Sequence, residues 1–282
     1  MSTEPGSLGR PDGVAMLPPA YGQLFDRATS VLGADPRVRA IWLAGALGRG
    51  AADAASDLDF AIAVPDTDFV AFGAEWREWL AAITPTLVAR ELPGRPGSFY
   101  ALTPTCERFD VVTERVSELG NVQSGARVLV MDRDGLAERL PQPQPRSPDR
   151  ARIAYLIEEC LRQAANFPTV TVREDWLLGV VAVQEVHLML YQLFVEGNQP
   201  LPPMGPKQWS AKLTSEQQAL LRSLPVPQPA RDSVLQARNA ALRTFIEQAR
   251  RIARNCGVQW PAELELAVRQ FLRRELNLPL GD

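Results

Sequence analysis

The chain has 282 residues, 46% of them apolar and 22% charged, with a net charge of −3. That length and composition can bury a substantial core and suit two domains, while the acidic balance argues against nonspecific nucleic-acid binding and favours a cationic small molecule as partner. No apolar run approaches the roughly 20 residues needed to cross a bilayer, and no basic region followed by an apolar stretch opens the chain, so a cytoplasmic protein without a membrane partner is expected.

In chain order, residues 1–12 are rich in Gly, Pro and Ser and read as a flexible arm. Residues 40–44 form a short apolar strand, Gly45 permits a tight turn, and residues 46–54 can begin a helix. A helix N-terminus offers unpaired N–H groups and partial positive charge, which suits a phosphate, and Arg49 adds a further phosphate contact. Alternation along the next strand puts Asp57 and Asp59 on one face and Leu58, Phe60, Ile62 and Val64 on the other. Two carboxylates that close repel each other unless a divalent cation lies between them. Magnesium is the expected ion, because it takes one or two carboxylates and completes its shell with substrate phosphates and water. A nucleotide partner follows from that preference.

Residues 69–82 have Phe72, Trp76, Trp79 and Leu80 at helical spacing, which predicts a core-facing helix. Strands over 86–91 and 98–102 flank a turn-rich 93–97, predicting a hairpin. On the following strand, 108–114, Asp110, Val112 and Glu114 share one face, with Phe109, Val111 and Thr113 on the other. An acid at position 110 is costly to bury unless it binds metal or pairs with an arginine such as Arg108 or Arg49. Glu114 is either part of the same chemistry or an exposed strand end. A last strand covers 126–131, and the proline-rich stretch 141–145 reads as a linker between a domain over 13–145 and another over 146–282. The first 145 residues carry 13 basic and 19 acidic residues, the remainder 17 and 14.

From residue 148 the period becomes helical, with segments over 152–167, 175–197, 215–224, 230–256 and 261–276 that predict a helical bundle. The segment 175–197 is apolar nearly all round, which predicts a central helix. Glu185 within it should therefore find an arginine or face a cleft, and His187, the chain's one histidine, reads as a satisfied core residue. Only two of the 30 basic residues are lysines, Lys207 and Lys212, and a retained compact ammonium suits a phosphate. The three cysteines, Cys106, Cys160 and Cys256, lack metal-ligand spacing and read as free thiols.

The stretch from Gly45 to Phe60 resembles the signature of the DNA polymerase β-like nucleotidyltransferase superfamily: glycine-serine, a short arginine-containing stretch, then aspartate, one apolar residue and aspartate. More narrowly, it is similar to the bacterial antibiotic nucleotidyltransferases that modify aminoglycosides and lincosamides. The resemblance implies an α/β N-terminal nucleotidyltransferase domain with a mixed sheet, plus an all-α C-terminal helical bundle. It also implies ATP as co-substrate, Mg2+ held by Asp57 and Asp59, and AMP transfer to a hydroxyl of a small molecule. Asp110 matches the family's third carboxylate, as metal ligand, general base or both, with Glu114 in reserve. Gly45, Ala46 and Arg49 fall at the nucleotide, and Lys207 or Lys212 matches a lysine that touches the triphosphate. Glu185 or Asp175 would bind a cationic acceptor. Ala46 departs from the pattern, since the family's serine hydroxyl binds a phosphate, and a lost hydrogen bond to a charged group costs about 1.5–3 kcal/mol. Two other readings stay open, an antitoxin with this fold and a degenerate nucleotide-binding or interaction protein.

Overall fold

The computed structural model describes residues 9–122, 126–142, 144–202, 204–205 and 207–276. Residues 1–8 of the expected arm and Pro143 of the expected linker lie outside the described residues. The chain divides into two compact units, Met1–Gln144 with Pro203–Gly205, and Pro145–Pro202 with Pro206–Asp282.

In the first unit, β1 (Ala40–Leu43), β2 (Leu58–Val64), β3 (Val88–Glu91), β4 (Ser98–Leu102), β5 (Arg108–Arg115) and β6 (Val128–Asp132) form one mixed sheet in the order β3-β4-β5-β2-β1-β6. Strands β2 and β5 run parallel, and every other neighbouring pair is antiparallel. Three helices, α1 (Pro19–Ala34), α3 (Phe69–Ala74) and α4 (Trp76–Ile83), contribute to the core on one face, and α2 (Gly45–Gly48) is a single turn after β1. Alternation explains the packing. Leu58, Phe60, Ile62, Phe109 and Val111 all face the helices, with Phe60 stacked on Phe25 at 5.9 Å and edge-on to Phe109 at 5.7 Å. The intervening residues face the other way, where Ala40, Trp42, Ala61 and Ala63 are covered by Leu119 and Leu136. A one-residue slip would exchange these sets, so burial fixes the register.

Three features of this unit differ from the sequence reading. Helix α1 was not anticipated, although Leu24, Phe25, Ala28 and Leu32 form a helical stripe on its buried side. The helix expected from 46 onward closes after one turn, because Gly50 adopts a left-handed φ of 66° and its N–H turns back to the Leu47 carbonyl. The helix expected over 69–82 breaks at Glu75, whose backbone leaves helical geometry and whose carboxylate binds Arg37 at 2.7 Å. Its aromatic residues are core, as read, with Phe72, Trp76 and Trp79 buried.

The second unit is all helical: α5 (Arg150–Asn166), α6 (Pro168–Val172), α7 (Trp176–Gly197), α8 (Ser215–Ser223), α9 (Arg231–Cys256) and α10 (Ala262–Leu276). Local sequence sets the helix ends. Asp149 caps α5, Asp175 caps α7, and Thr214 with Gln217 forms a reciprocal capping box on α8. Helix α7 packs against α5, α6, α8 and α9, its buried side formed by Val183, Val186, Leu190, Leu193 and Phe194. It is not enclosed all round, however, since Leu177 is 72% exposed and Val181 and Leu188 lie on the same open flank. By length and composition α7 could cross a membrane, which corrects the expectation that no segment qualifies. Its buried side belongs to the bundle core, as in the central helix of a folded domain.

Candidate functional site

Geometry at the start of β2 and β5 brings two of the expected carboxylates together. In the parallel ladder, Asp59 stands directly opposite Asp110, so both side chains leave the same face of the sheet from strands about 4.8 Å apart. Both are half-buried. The rung continues outward, with Tyr100 of β4 opposite Asp110 and Arg90 of β3 opposite Tyr100. On the other side, the Ala44 N–H donates to the Asp59 carbonyl at 2.9 Å, and the chain turns at Gly45 with φ of 56°. The Asp59 carboxylate lies directly over the Gly45 Cα, where a Cβ would come within 1.6 Å of Oδ2. This close approach needs glycine twice over, for its backbone angle and for its missing side chain.

Asp57 lies one residue before β2, on the face shared by Asp59. It is positioned by the preceding turn, in which the Ser56 hydroxyl donates to Asp53 Oδ1 at 3.0 Å and the Ala55 N–H donates to the same oxygen at 2.9 Å. Its Oδ2 lies 3.7 Å from Arg108 Nε. The Arg108 guanidinium also donates to the Ala55 carbonyl, and its backbone N–H donates to the Tyr21 hydroxyl at 3.1 Å. Sequence reading had considered Arg108 only as a partner for Asp110. Tyr21, Asp53 and Ser56 were missed, though the spacing of Asp53 and Ser56 is a recognisable turn signal.

Among the described residues, no three His, Cys, Asp or Glu side chains gather into a set able to hold a metal ion. What the register provides is a pair, Asp59 beside Asp110, with Asp57 adjacent to Arg108. That pair fits a hard divalent cation in its chemistry: two carboxylates on one rung, for an ion that commonly takes one or two carboxylates.

The nucleotide-side expectations are placed as follows. Ala46 sits in the single turn of α2, half-buried, its carbonyl accepting the Ala51 N–H at 3.0 Å. So short a helix carries little macrodipole. Any phosphate contact there falls to individual N–H groups and to Arg49, which caps the turn and whose Nε is buried with no hydrogen-bond partner among the described residues. Glu114 is neither at this rung nor an exposed strand end. It stands about 13 Å further along β5, opposite Ala63, and both its oxygens bind Arg127, at 2.5 and 2.7 Å, in a pair only 15% and 7% exposed.

The remaining candidates belong to the helical unit. Asp175 accepts the Leu178 N–H at 3.0 Å as the cap of α7. Glu185 is exposed rather than buried, and the nearby Arg162 guanidinium pairs with Glu159. His187 is half-buried, and its Nε2 has no hydrogen-bond partner among the described residues, so it is not the satisfied core histidine expected. Burial holds its imidazole below the ordinary value. Lys207 lies in an exposed turn, and Lys212 ends the helical turn Ser210–Lys212, its carbonyl accepting from the Asn198 amide at 3.0 Å. Between them, Trp209 stacks flat on Tyr191 at 3.8 Å. All three cysteines are free.

No family model and no curated protein matches the chain. Among solved structures it is similar to an aminoglycoside 6-adenyltransferase from Bacillus subtilis, at 12% identity and a TM-score of 0.43, over 94% of this chain and 99% of that one.

Proposed function

We propose that the chain is a nucleotidyltransferase that moves AMP from ATP to a hydroxyl of a small molecule, of the aminoglycoside or lincosamide kind. The observation that carries this reading is the Asp59–Asp110 rung packed against Gly45, because the signature's glycine turn and its second acid then lie beside Asp110 at one point of the sheet. Asp59 and Asp110, with Asp57 beside them, would hold Mg2+, which supplies charge neutralisation for the triphosphate and the departing pyrophosphate. Asp110 accepts the proton of the attacking hydroxyl, and Arg49 meets a phosphate. Lys207 and Lys212 are offered to the triphosphate, and Glu185 and Asp175 to the charge of a cationic acceptor. ATP as donor suits a cytoplasmic setting.

Supporting this, the buried hydrophobic residues of β2 and β5 fix the parity that puts Asp59 and Asp110 on one face, so their pairing is built into the core. The test is incubation with labelled ATP, magnesium and a panel of aminoglycosides and lincosamides, with products identified by mass. A product heavier than its acceptor by one adenylyl group supports the proposal. Absence of product across the panel, together with no thermal stabilisation by ATP and magnesium, would oppose it.

A further inference from the structure

Two ion pairs on the same strand differ sharply. Glu114 and Arg127 form a two-pronged, nearly buried contact, whereas Arg108 and Asp57 meet at 3.7 Å with Arg108 44% exposed. The second pair adjoins the Asp59–Asp110 rung, since Leu58 opposite Phe109 places Asp57 and Arg108 at the next position back. By alternation, all four charged side chains share one face, three acids and one guanidinium. Because a guanidinium stays protonated at any working pH, its attraction for Asp57 is permanent and can be relieved only by movement.

Resting on the metal-dependent reading of this site, we infer that Arg108 is a positioning residue that competes with a divalent cation for Asp57. The contact is long and partly solvated, so it can be displaced. Arg108 is anchored beside the turn that sets Asp57, through the Ala55 carbonyl and the Tyr21 hydroxyl, and so remains within reach when the carboxylate changes partner. A phosphate offers a guanidinium a better, two-pronged acceptor than a single carboxylate oxygen at 3.7 Å. Arriving nucleotide would therefore draw Arg108 away and free Asp57, which keeps cation affinity low until nucleotide is present.

The experiment is Mn2+ binding without nucleotide, read from the electron paramagnetic resonance signal of free Mn2+, on the full chain and on Arg108→Gln, Arg108→Lys, Asp59→Asn, and Arg108→Gln combined with Asp57→Asn. Circular dichroism on each variant verifies folding. Arg108→Gln should bind about two- to fivefold more tightly than the parent, the scale of a partly exposed ion pair released. Arg108→Lys, which keeps the charge, should stay near the parent. The gain should vanish in the combined variant, because Asp57 is the carboxylate being released. Equal or weaker binding by Arg108→Gln, with parent binding still abolished by Asp59→Asn, overturns the role of Arg108 and leaves the metal reading standing. A gain that survives Asp57→Asn overturns it equally. If neither the parent nor Arg108→Gln binds Mn2+, the metal reading and this inference both fall.

Discussion

Asp59 rests its carboxylate on the bare Cα of Gly45, so closely that a single added carbon would lie 1.6 Å from Oδ2. Gly45→Ala must therefore both hold a left-handed backbone angle and push the acid off its rung. The expected cost is about 1–3 kcal/mol in urea unfolding, accompanied by loss of transfer activity. Adding Asp59→Ala to this variant removes the colliding carboxyl group and should recover part of the stability, leaving mainly the backbone term. Strict additivity of the two substitutions would show that the close approach is not the source of the cost.

Asp110→Asn keeps the shape of the side chain but loses the base and one charge of the pair. Transfer should fall by about 10²–10⁴-fold, the range for removal of a general base, while the melting temperature changes little because the residue is half-buried and outside the hydrophobic core. Product formation followed by mass spectrometry decides the point. Near-normal turnover would remove Asp110 from the chemistry.

The faces of Asp59 and Asp110 were legible in the sequence because Leu58, Phe60 and Ile62 on β2, and Phe109 and Val111 on β5, alternate with them at period two, whereas the register that sets the two acids opposite each other was not. The five main helices of the second unit were legible for the same reason at period 3.6. What could not be read were long-range encounters. The need for glycine at 48 is decided by its close approach to the backbone at Ala126, and the role of Glu114 by Arg127, thirteen residues away in sequence. The exposure of Glu185 could not be read, because an apolar helix does not announce which of its flanks the neighbouring helices leave open. Arg108 was visible only as a partner for Asp110, and the structure sets it beside Asp57.

Glu114→Gln tests whether this acid belongs to the structure or to the reaction. Arg127 is 7% exposed and lies 5.6 Å from the Trp42 ring centre, so removing its counter-charge leaves a guanidinium in a poorly hydrated place. A loss of about 3 kcal/mol is expected in urea unfolding. At temperatures where the variant remains folded, transfer should persist, since the residue stands well along β5 from Asp110. A folded, stable variant without activity would reverse the assignment and make Glu114 the base.

His187 gives the helical unit a stability term that depends on pH. Burial holds its imidazole below the ordinary value, so the unfolded chain takes up a proton near pH 6.5 while the folded chain resists until the pH is lower. The unfolded state then binds more protons across that interval, and stability must rise with pH there. The stabilising contribution is complete above about pH 6.5 and is lost as pH falls through the folded value. Urea unfolding between pH 5 and 7.5 should show this slope in the parent and a shallower one in His187→Gln, the difference isolating the imidazole from the many carboxylates. Because the chain has one histidine, its proton resonance can be followed without assignment. A midpoint above 6.5 would mean that the folded protein favours the charged ring, and the slope would then have the opposite sign.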